Sequence, residues 1–404
     1  MTGADAGAPA RTLALVESPV QLLNLLEWAH AERGGTQLAD PRGIVEADAH
    51  GFVDADASGG TDASGDAVGS GDDAPGACTV VVLPPRDPMS RGQLRRMAEL
   101  ARDEGLAVRW CEPRTASAGP LRTLAGLAPS LMRASRLVLG DPFSRFVQAL
   151  LPFSRARELV VIDDGTATME FATLIAEGRR LVRWHRAGGS RGPRDLAFAA
   201  FAAHARRRLT AGRGTGIELF SAMPVTAPPG AVVRPNRLEW TRARFGPPKV
   251  RDGADLIGTS LVETGVVDHD RYLAAVAAIA EQGGATRYFA HRREREDKLR
   301  ELSRRTGLEI VRPDLPLELV ARRGPIGSRL LSFPSTVVHT LPLALAGTGV
   351  RVDVLEVDPS WLTGHASPRA HGFLSGITQA ARSRHGLGTA RNPLTNSILP
   401  AVTS

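Results

Sequence analysis

The 404-residue chain contains only two cysteines, Cys78 and Cys111, and only 5% of its residues are aromatic. Two cysteines exclude a disulfide scaffold and are typical of a protein in a reducing cytoplasm. No run of 18 or more apolar residues occurs, so no membrane-spanning helix is expected. The first apolar stretch, residues 13–16, leads directly into Glu17 and lacks the basic flank and the length of a signal peptide. We therefore expect a cytoplasmic protein, and its length suggests two domains.

The charge is distributed unevenly along the chain. Residues 37–76 contain nine acidic residues and one basic residue, so the rest of the chain carries about +15 against a total of +7. Residues 36–76 are mainly Gly, Ala, Asp and Ser, which cannot bury enough apolar surface, and we predict a disordered insertion. The basic remainder indicates an anionic partner: a nucleotide sugar, a polyanionic glycan, a membrane surface or a nucleic acid. The alternative is an arginine-rich soluble protein without such a partner.

Short apolar runs alternate with helical patterns along both halves of the chain. The predicted strands are Thr12–Val16, Thr79–Leu83, Ala107–Trp110, Arg136–Leu139 and Glu158–Ile162, then Asp255–Gly258, Thr286–Ala290, Glu309–Val311, Leu330–Ser332 and Val350–Leu355. This alternation is typical of parallel, doubly wound sheets. We predict the α/β class with two Rossmann-like domains, residues 1–245 and 246–404, facing across a cleft. Ligands of such sheets lie beyond the carboxyl ends of the strands.

Residues 178–214 are rich in arginine. Within them, Leu196–Leu209 has the pattern of an apolar helix with a basic end. Such a helix can lie on an anionic membrane surface. The alternative is a core helix with a solvated basic tail.

Two adjacent carboxylates, Asp163 and Asp164, follow the predicted strand Glu158–Ile162, and Gly165 permits a tight turn. A carboxylate that faces the cleft can take a proton from an attacking hydroxyl. The alternative is a pair of aspartates that only cap the next helix.

A second motif, His291-Arg292, stands at the end of a strand and shortly before a helix. An imidazole and a guanidinium at a helix N-terminus can bind a phosphate. A solvated charged turn is the alternative interpretation.

Three further groups follow strands of the second half. Glu318, predicted on a loop, can bind a ribose diol or can stabilise the first turn of a helix. Ser335 and Thr336 precede a predicted helix and can hold a phosphate or simply cap that helix. Gly258 and Thr259 form a small-residue turn near the same cleft, and this signal is the least specific.

The order of these motifs resembles that of the bacterial sialyltransferases of the two-domain GT-B fold. The Asp-Asp-Gly motif is followed by His-Arg, by Glu318 27 residues after His291, and by the Ser-Thr pair 17 residues later. Within that set the chain looks most like the α-2,8-polysialyltransferase family. The strand and helix start that contain Ser18, Pro19 and Gln21 support this similarity, because those proteins begin in a similar way.

The resemblance implies a role for each motif. Asp163 is implied as the base that deprotonates the acceptor hydroxyl, with Asp164 as the close alternative, and His291 as the group that assists departure of CMP. Donor-side residues implied by the motifs are Glu318 for the ribose, Ser335 and Thr336 for the phosphate, and Gly258 and Thr259 beside them. Ser18, Pro19 and Gln21 are implied on the acceptor side. Arg292 stands where the family usually has proline, and it can serve as an extra phosphate ligand.

The resemblance thus implies a glycosyltransferase that moves a sialic-acid-like sugar from a CMP-activated donor to a glycan hydroxyl. Residues 1–245 are then the acceptor domain and residues 246–404 the donor domain. No metal and no other cofactor is expected, because neither cysteine has matching histidine spacing and no acidic metal triad stands out. No nucleic-acid partner is expected, whereas the 178–214 segment can contact the inner membrane surface. Two alternatives stay open, a transferase for another nucleotide sugar and a non-catalytic polyanion-binding protein.

Overall fold

The computed structural model of the protein describes residues 11–34, 78–114, 119–183, 193–212, 214–364 and 368–390. The predicted disordered insertion, residues 36–76, lies outside these described residues. Within the described parts of the chain, no helix combines the length and the apolar character that are needed to cross a bilayer.

The first half of the chain builds a seven-stranded parallel sheet with the strand order β3-β2-β1-β4-β5-β6-β7. Its strands are β1 (Thr12–Val16), β2 (Cys78–Val82), β3 (Ala107–Trp110), β4 (Arg136–Leu139), β5 (Glu158–Ile162), β6 (Gly216–Ser221) and β7 (Val232–Pro235). The central strand β1 is buried over its whole length because helices cover both faces of the sheet.

The helices of this half follow the strands in the usual alternation. They are α1 (Pro19–Glu32), α2 (Pro88–Asp103), α3 (Gly119–Arg133), α4 (Arg145–Leu150), α5 (Thr166–Ala176), α6 (Pro193–Arg208) and α7 (Glu239–Arg244), with a 3-10 helix at Leu151–Phe153. Helix α1 begins where the sequence predicts, since the Ser18 hydroxyl accepts from the Gln21 N–H and Pro19 opens the first turn.

The second half builds a six-stranded parallel sheet with the order β10-β9-β8-β11-β12-β13. Its elements are β8 (Val250–Ile257), α8 (His269–Gly283), β9 (Ala285–Phe289), α9 (Glu296–Thr306), β10 (Glu309–Val311), α10 (Leu317–Arg323), β11 (Ile326–Ser332), α11 (Val337–Ala344), β12 (Arg351–Leu355), a 3-10 helix at Pro359–Trp361, α12 (Pro368–His385) and β13 (Gly388–Ala390). The strand order reverses between β8 and β11, as it does between β1 and β4 in the first sheet. A switch point of this kind opens a crevice at the carboxyl ends of the strands.

The two sheets meet where their strands end. A Cβ atom on Gly165, after β5, would lie 2.3 Å from Cγ2 of Thr336, before α11. The Gln93 amide of α2 donates to the Pro313 carbonyl at 2.7 Å, and Leu319 of α10 packs into the apolar cluster that contains α1. The carboxyl ends of the sheets therefore face each other, which confirms the predicted two-sheet arrangement of the GT-B type.

The predicted strands all appear, although β8 and β11 begin several residues earlier than expected. Two features differ from the sequence-based predictions. Residues 216–235 form β6 and β7, which were not predicted. Glu318 was predicted on a loop but lies in the first turn of α10, after the N-cap residue Pro316. The loop prediction is wrong because a proline at a helix start fits the first turn, where its missing N–H costs no hydrogen bond.

The C-terminal part of the predicted Leu196–Leu209 helix packs on the protein, which supports the core-helix interpretation for that part of α6. Ala205 and Leu209 are buried. In its basic end, Arg206 donates to the Gly178 carbonyl and Arg208 donates to the Ala156 carbonyl. These two guanidinium groups are therefore bound to the protein itself.

Candidate active site

Three adjacent strands of the first sheet each end beside a carboxylate. Glu17 follows β1, Asp141 follows β4 and Asp164 follows β5. The ends of β4 and α1 are packed very closely, since a Cβ atom on Gly140 would lie 2.3 Å from Oε1 of Gln21. This packing concentrates the three carboxylates at the switch point between β1 and β4, where ligands of such sheets bind.

Asp163 is almost fully buried, with 1% of its surface exposed. Its Oδ1 accepts from the Gly165 N–H at 3.1 Å, and its Oδ2 accepts from the Ala222 N–H at 3.0 Å. Its backbone carbonyl accepts from the Asn24 amide at 2.9 Å. Burial raises the pKa of Asp163 to about 6, although hydrogen bonds from the Thr168 and Ser221 side chains and from the Ala222 and Gly165 N–H groups lower it. Asp163 thus ties the end of β5 to β6 and α1, and neither carboxylate oxygen is free.

Asp164 lies in a different environment, with 18% of its side chain exposed. Its Oδ2 is 2.9 Å from Nη2 of Arg183, and the same nitrogen is 3.2 Å from Oδ2 of Asp141. Burial and the neighbouring charge of Asp141 raise the pKa of Asp164 to about 7, whereas Arg183 and a hydrogen bond from Gln21 lower it. A carboxylate with a pKa near neutrality and partial access to the cleft is suited to general base catalysis.

His291 begins a tight turn after β9. The Glu294 N–H donates to the His291 carbonyl at 2.9 Å, and the Arg293 N–H donates to Nδ1 of the His291 ring at 3.2 Å. Burial, together with the charges of Arg292 and Arg293, lowers the pKa of His291 to about 4. At pH 7 the ring is therefore neutral, with its proton on Nε2, and acts as a hydrogen-bond donor rather than as a cation.

A buried ionic network supports this turn. Glu294 accepts from the His291 N–H at 2.6 Å and from the Tyr288 hydroxyl at 2.6 Å, and lies 2.7 Å from Nζ of Lys298. Lys298 is also 3.1 Å from Glu263. The chain has only two tyrosines, and the second, Tyr272, lies 2.6 Å from the hydroxyl of Tyr288. The network is satisfied on all sides, so it holds the backbone of His291 in one position.

Gly258 and Thr259, at the end of β8, lie against the same network. A Cβ atom on Gly258 would lie 2.3 Å from Oε2 of Glu294, so only glycine permits this close approach. Thr259 is buried, and its carbonyl accepts from Lys298 at 3.4 Å. Both residues therefore help to hold Glu294 and Lys298 in place.

Ser335 and Thr336 stand at the start of α11, with partly exposed side chains. The Thr336 side chain makes no capping hydrogen bond, and neither hydroxyl has a partner among the residues that the structure describes. The Val338 and His339 N–H groups already donate to the Ser335 and Thr336 carbonyls. The two hydroxyls are thus the groups that this helix start offers to a ligand.

Glu318 lies beside this helix start. It is 4% exposed, and the Thr340 hydroxyl, one turn after Thr336, donates to its Oε1. Burial raises the pKa of Glu318. Glu318 and the Ser335–Thr336 pair are therefore brought together on α10 and α11, in the second half of the chain.

The predicted acceptor-side residues lie at the carboxyl end of β1, in the first sheet. Ser18 is engaged in capping α1, and Pro19 is buried in the first turn. Gln21 is 2% exposed, accepts from the Glu17 N–H at 2.7 Å and also hydrogen bonds to Asp164. Ser18 and Pro19 therefore fix the start of α1, and Gln21 contacts Asp164 directly.

Several groups of the site were not predicted from the sequence. They are Asp141, Arg183 and Glu294, which contact Asp164 or His291 through side-chain or backbone atoms. The Gly140-Asp141 pair after a strand is a signal for the first, and the helical spacing of Glu294 and Lys298 is a signal for the third. Arg183 offers no such signal, because it lies within a long arginine-rich stretch.

Among the residues that the structure describes, no cluster of three or more histidine, cysteine or acidic side chains is arranged to hold a metal ion.

No family model matches the chain, and no curated protein matches it. Several solved structures align with most of this chain. An α/β-galactoside α-2,3-sialyltransferase from Photobacterium phosphoreum is 8% identical, with a TM-score of 0.45, and the alignment covers 94% of this chain and 98% of that one. A UDP-glucosyltransferase from Polygonum tinctorium is 13% identical, with a TM-score of 0.44 and coverage of 93% and 95%.

A putative UDP-N-acetylglucosamine 2-epimerase from Listeria monocytogenes is similar to the same degree, with 11% identity, a TM-score of 0.46 and coverage of 96% and 92%. Transferases and an epimerase therefore resemble this chain equally. Likenesses of this low degree identify no activity, and the function has to be argued from the site.

Proposed function

We propose that this protein is a glycosyltransferase that moves a sialic-acid-like sugar from a CMP-activated donor to a glycan hydroxyl. The observation that carries the proposal is the position of Asp164. This carboxylate, with a pKa near 7, lies beside Gly165, which contacts Thr336 of the facing sheet. A base on one side and phosphate-binding groups on the other side are what a displacement at a sugar carbon requires.

Asp164 is the proposed base, in preference to Asp163. Both oxygens of Asp163 accept hydrogen bonds from backbone N–H groups, and these bonds hold the ends of β5 and β6 together. The carboxylate is therefore less available to take a proton from a substrate. Asp164 is partly exposed and its ion pair with Arg183 fixes the carboxylate. The motif order implied a base within this pair of residues, and the hydrogen bonds of Asp163 favour Asp164 as the proposed base.

The proposed reaction is a direct displacement. The acceptor hydroxyl gives its proton to Asp164, its oxygen bonds to the anomeric carbon, and the bond from that carbon to the phosphate oxygen breaks. CMP leaves with the bonding electrons. Nε2–H of His291 and the hydroxyls of Ser335 and Thr336 donate to the phosphate. Glu318, next to this helix start, is proposed to bind the ribose of the donor.

Replacing Asp164 by asparagine tests the catalytic proposal. Asp164→Asn keeps the shape of the side chain and removes the base, so we expect CMP release in the presence of acceptor to fall by about 10²- to 10⁴-fold. The free energy of unfolding and the affinity for CMP should change little. Full activity of D164N contradicts the assignment.

Asp163→Asn is the matched comparison. An asparagine at 163 presents an NH₂ group to one of two buried backbone N–H groups, which costs about 1–3 kcal/mol of stability. Its main effect should therefore be on urea unfolding rather than on the pH dependence of the rate.

A thermal-shift series with CMP, UDP and GDP tests the donor. Binding to the folded state raises Tm, so CMP should raise it more than UDP or GDP at equal concentration. A larger shift with UDP favours a transferase for another nucleotide sugar. Salt-sensitive binding to DNA with no response to any nucleotide favours a polyanion-binding protein instead.

We also propose peripheral contact with the cytoplasmic face of the inner membrane through the 178–214 segment. Within its described part, Phe201 is 42% exposed and Arg207 is exposed, whereas Arg206 and Arg208 are bound to carbonyls. In a flotation assay with phosphatidylglycerol vesicles, the wild-type protein should float with the vesicles. The double variant Phe201→Ser/Arg207→Glu should stay in the vesicle-free fraction. Equal recovery with neutral phosphatidylcholine vesicles contradicts an electrostatic contact.

A further inference from the structure

The turn after β9 presents a guanidinium group without a partner. Arg292 is half-buried, and no hydrogen bond or ion pair joins it to any residue in the described parts of the chain. Two other arginines show the usual pairing: the buried Arg287 binds Asp255 at 2.9 and 2.6 Å, and the half-buried Arg114 lies 2.9 Å from Glu17. A charge that is withdrawn from water without a partner is costly, and a ligand that supplies an anion removes that cost.

Arg292 follows His291 in the chain and lies close enough to Asp164 for the two charges to interact. Burial and the charge of Arg293 lower the pKa of Arg292, and the charges of Asp164 and Asp87 oppose this in part. Asp87 is already engaged, because it accepts from the Ser90 N–H at 2.7 Å as the N-cap of α2. Arg292 thus lies within electrostatic reach of the proposed base and next to a proposed phosphate ligand.

In a direct displacement the acceptor oxygen, the reacting carbon and the leaving oxygen lie on one line. Groups attached to the reacting carbon then lie between the base and the leaving phosphate. The phosphate already has Nε2–H of His291 and the hydroxyls of Ser335 and Thr336 as donors. A guanidinium that follows His291 and interacts with the charge of Asp164 is therefore available for an anion that is attached to the reacting carbon itself.

We infer that Arg292 binds a carboxylate on the anomeric carbon of the donor sugar, and so selects 2-keto sugar acids over aldoses. This inference rests on the proposed function and adds a specificity-determining residue to it. Arginine suits the task because its planar fork binds a carboxylate through two parallel hydrogen bonds, and the phosphate, which it could bind in the same way, already has three other proposed donors. A bound carboxylate also pairs the unpartnered guanidinium.

The test compares Arg292→Ala and Arg292→Lys with Arg293→Ala, whose side chain is exposed on the same turn. The ligands are CMP, CMP-N-acetylneuraminate and the methyl ester of that donor, in which the carboxylate charge is absent. We expect R292A to lower kcat/KM for the acid donor by about 10- to 100-fold, as expected for loss of charged hydrogen bonds, and to keep the Kd for CMP within about twofold. R292K should lose part of the activity, and R293A should behave like the wild type.

The methyl ester separates carboxylate binding from phosphate binding. The wild type should prefer the acid donor to the ester by the same 10- to 100-fold factor, and R292A should not distinguish them. An acid preference that survives in R292A, or a loss of CMP affinity equal to the loss in kcat/KM, overturns the inference and leaves the proposed function intact. A wild type that binds neither CMP nor the CMP-sugar overturns the proposed function, and the inference with it.

Discussion

Gly165 and Thr336 are 171 positions apart in the chain and are in direct contact where the two sheets meet. A Cβ atom on Gly165 would lie 2.3 Å from Cγ2 of Thr336, and the glycine has a φ of +66°. The first sheet therefore brings Asp164 up to the helix start of the second sheet with no space for a side chain between them. This contact sets the distance between the proposed base and the proposed phosphate site.

Gly165→Ala should reduce both stability and activity. The substitution adds a clash to the strain of a backbone conformation that favours glycine, so we expect a loss of about 2–4 kcal/mol in the free energy of unfolding. Gly178→Ala is the control, because Gly178 has a similar φ of +65° and only the flexible end of Arg206 within 4 Å. Urea unfolding of G178A should show a loss of about 1–2 kcal/mol from backbone strain alone.

Thr336→Ser removes the methyl group that Gly165 approaches and keeps the hydroxyl. In the T336S background, G165A should therefore cost less than in the wild type, by about 1 kcal/mol in a double-mutant cycle. Additive losses contradict a direct contact between the two residues.

The rate should depend on pH through Asp164. Its pKa is raised to about 7 by burial and by the charge of Asp141, against the opposing effect of Arg183. A base must be deprotonated, so kcat/KM should rise with pH and level off above about 7. His291, with a pKa of about 4, is neutral throughout this range, so the rising limb of the pH profile is not due to His291.

Substitutions of the two neighbours should move that limb in opposite directions. Asp141→Asn removes a negative charge and should shift the profile to lower pH by about one unit, whereas Arg183→Gln should shift it to higher pH by about one unit. The position of the limb, rather than its height, is the measured quantity. Shifts in the same direction contradict the assignment of the limb to Asp164.

Lys298 should be important for stability because it lies between two carboxylates. It is 2% exposed, 2.7 Å from Glu294 and 3.1 Å from Glu263. Lys298→Met leaves Glu294 buried without a counter-ion, which should cost about 3–5 kcal/mol in urea unfolding. Glu294→Gln/Lys298→Met should recover a large part of this loss, and no recovery contradicts an electrostatic cause.

Activity should not depend on a divalent metal. The leaving phosphate is proposed to accept hydrogen bonds from the hydroxyls of Ser335 and Thr336 and from the imidazole of His291. Transfer from the CMP-sugar should therefore proceed at the same rate in EDTA and in excess Mg²⁺. A loss of activity in EDTA that Mg²⁺ restores contradicts this expectation.

The alternation of strands and helices could be predicted from the sequence because apolar runs and Gly, Pro and Asp punctuation are local signals. β3 and β4 have the predicted bounds. β6 was missed because its short apolar run lies between an arginine-rich stretch and a proline-rich stretch, which obscured it. The helix that contains Glu318 was missed because Pro316 was interpreted as part of a loop.

The candidate site was partly predictable for the same reason. Polar residues that directly follow parallel strands lie at one edge of a sheet, so Asp164, His291 and the Ser335–Thr336 pair could be grouped from their positions. Arg183 and Glu294 could not be assigned, because their roles depend on the side chains that the fold places within hydrogen-bond distance.

The sequence by itself determined that two carboxylates end a buried strand and that basic and hydroxyl groups end strands of a second sheet. Only the tertiary structure decided which carboxylate is available for chemistry. Asp163 is engaged by the N–H of Ala222, which lies 59 residues away in the chain, whereas its neighbour Asp164 faces Arg183 and the second sheet. The physical reason is that adjacent residues beyond a strand point to different sides, and distant backbone groups decide what each one contacts.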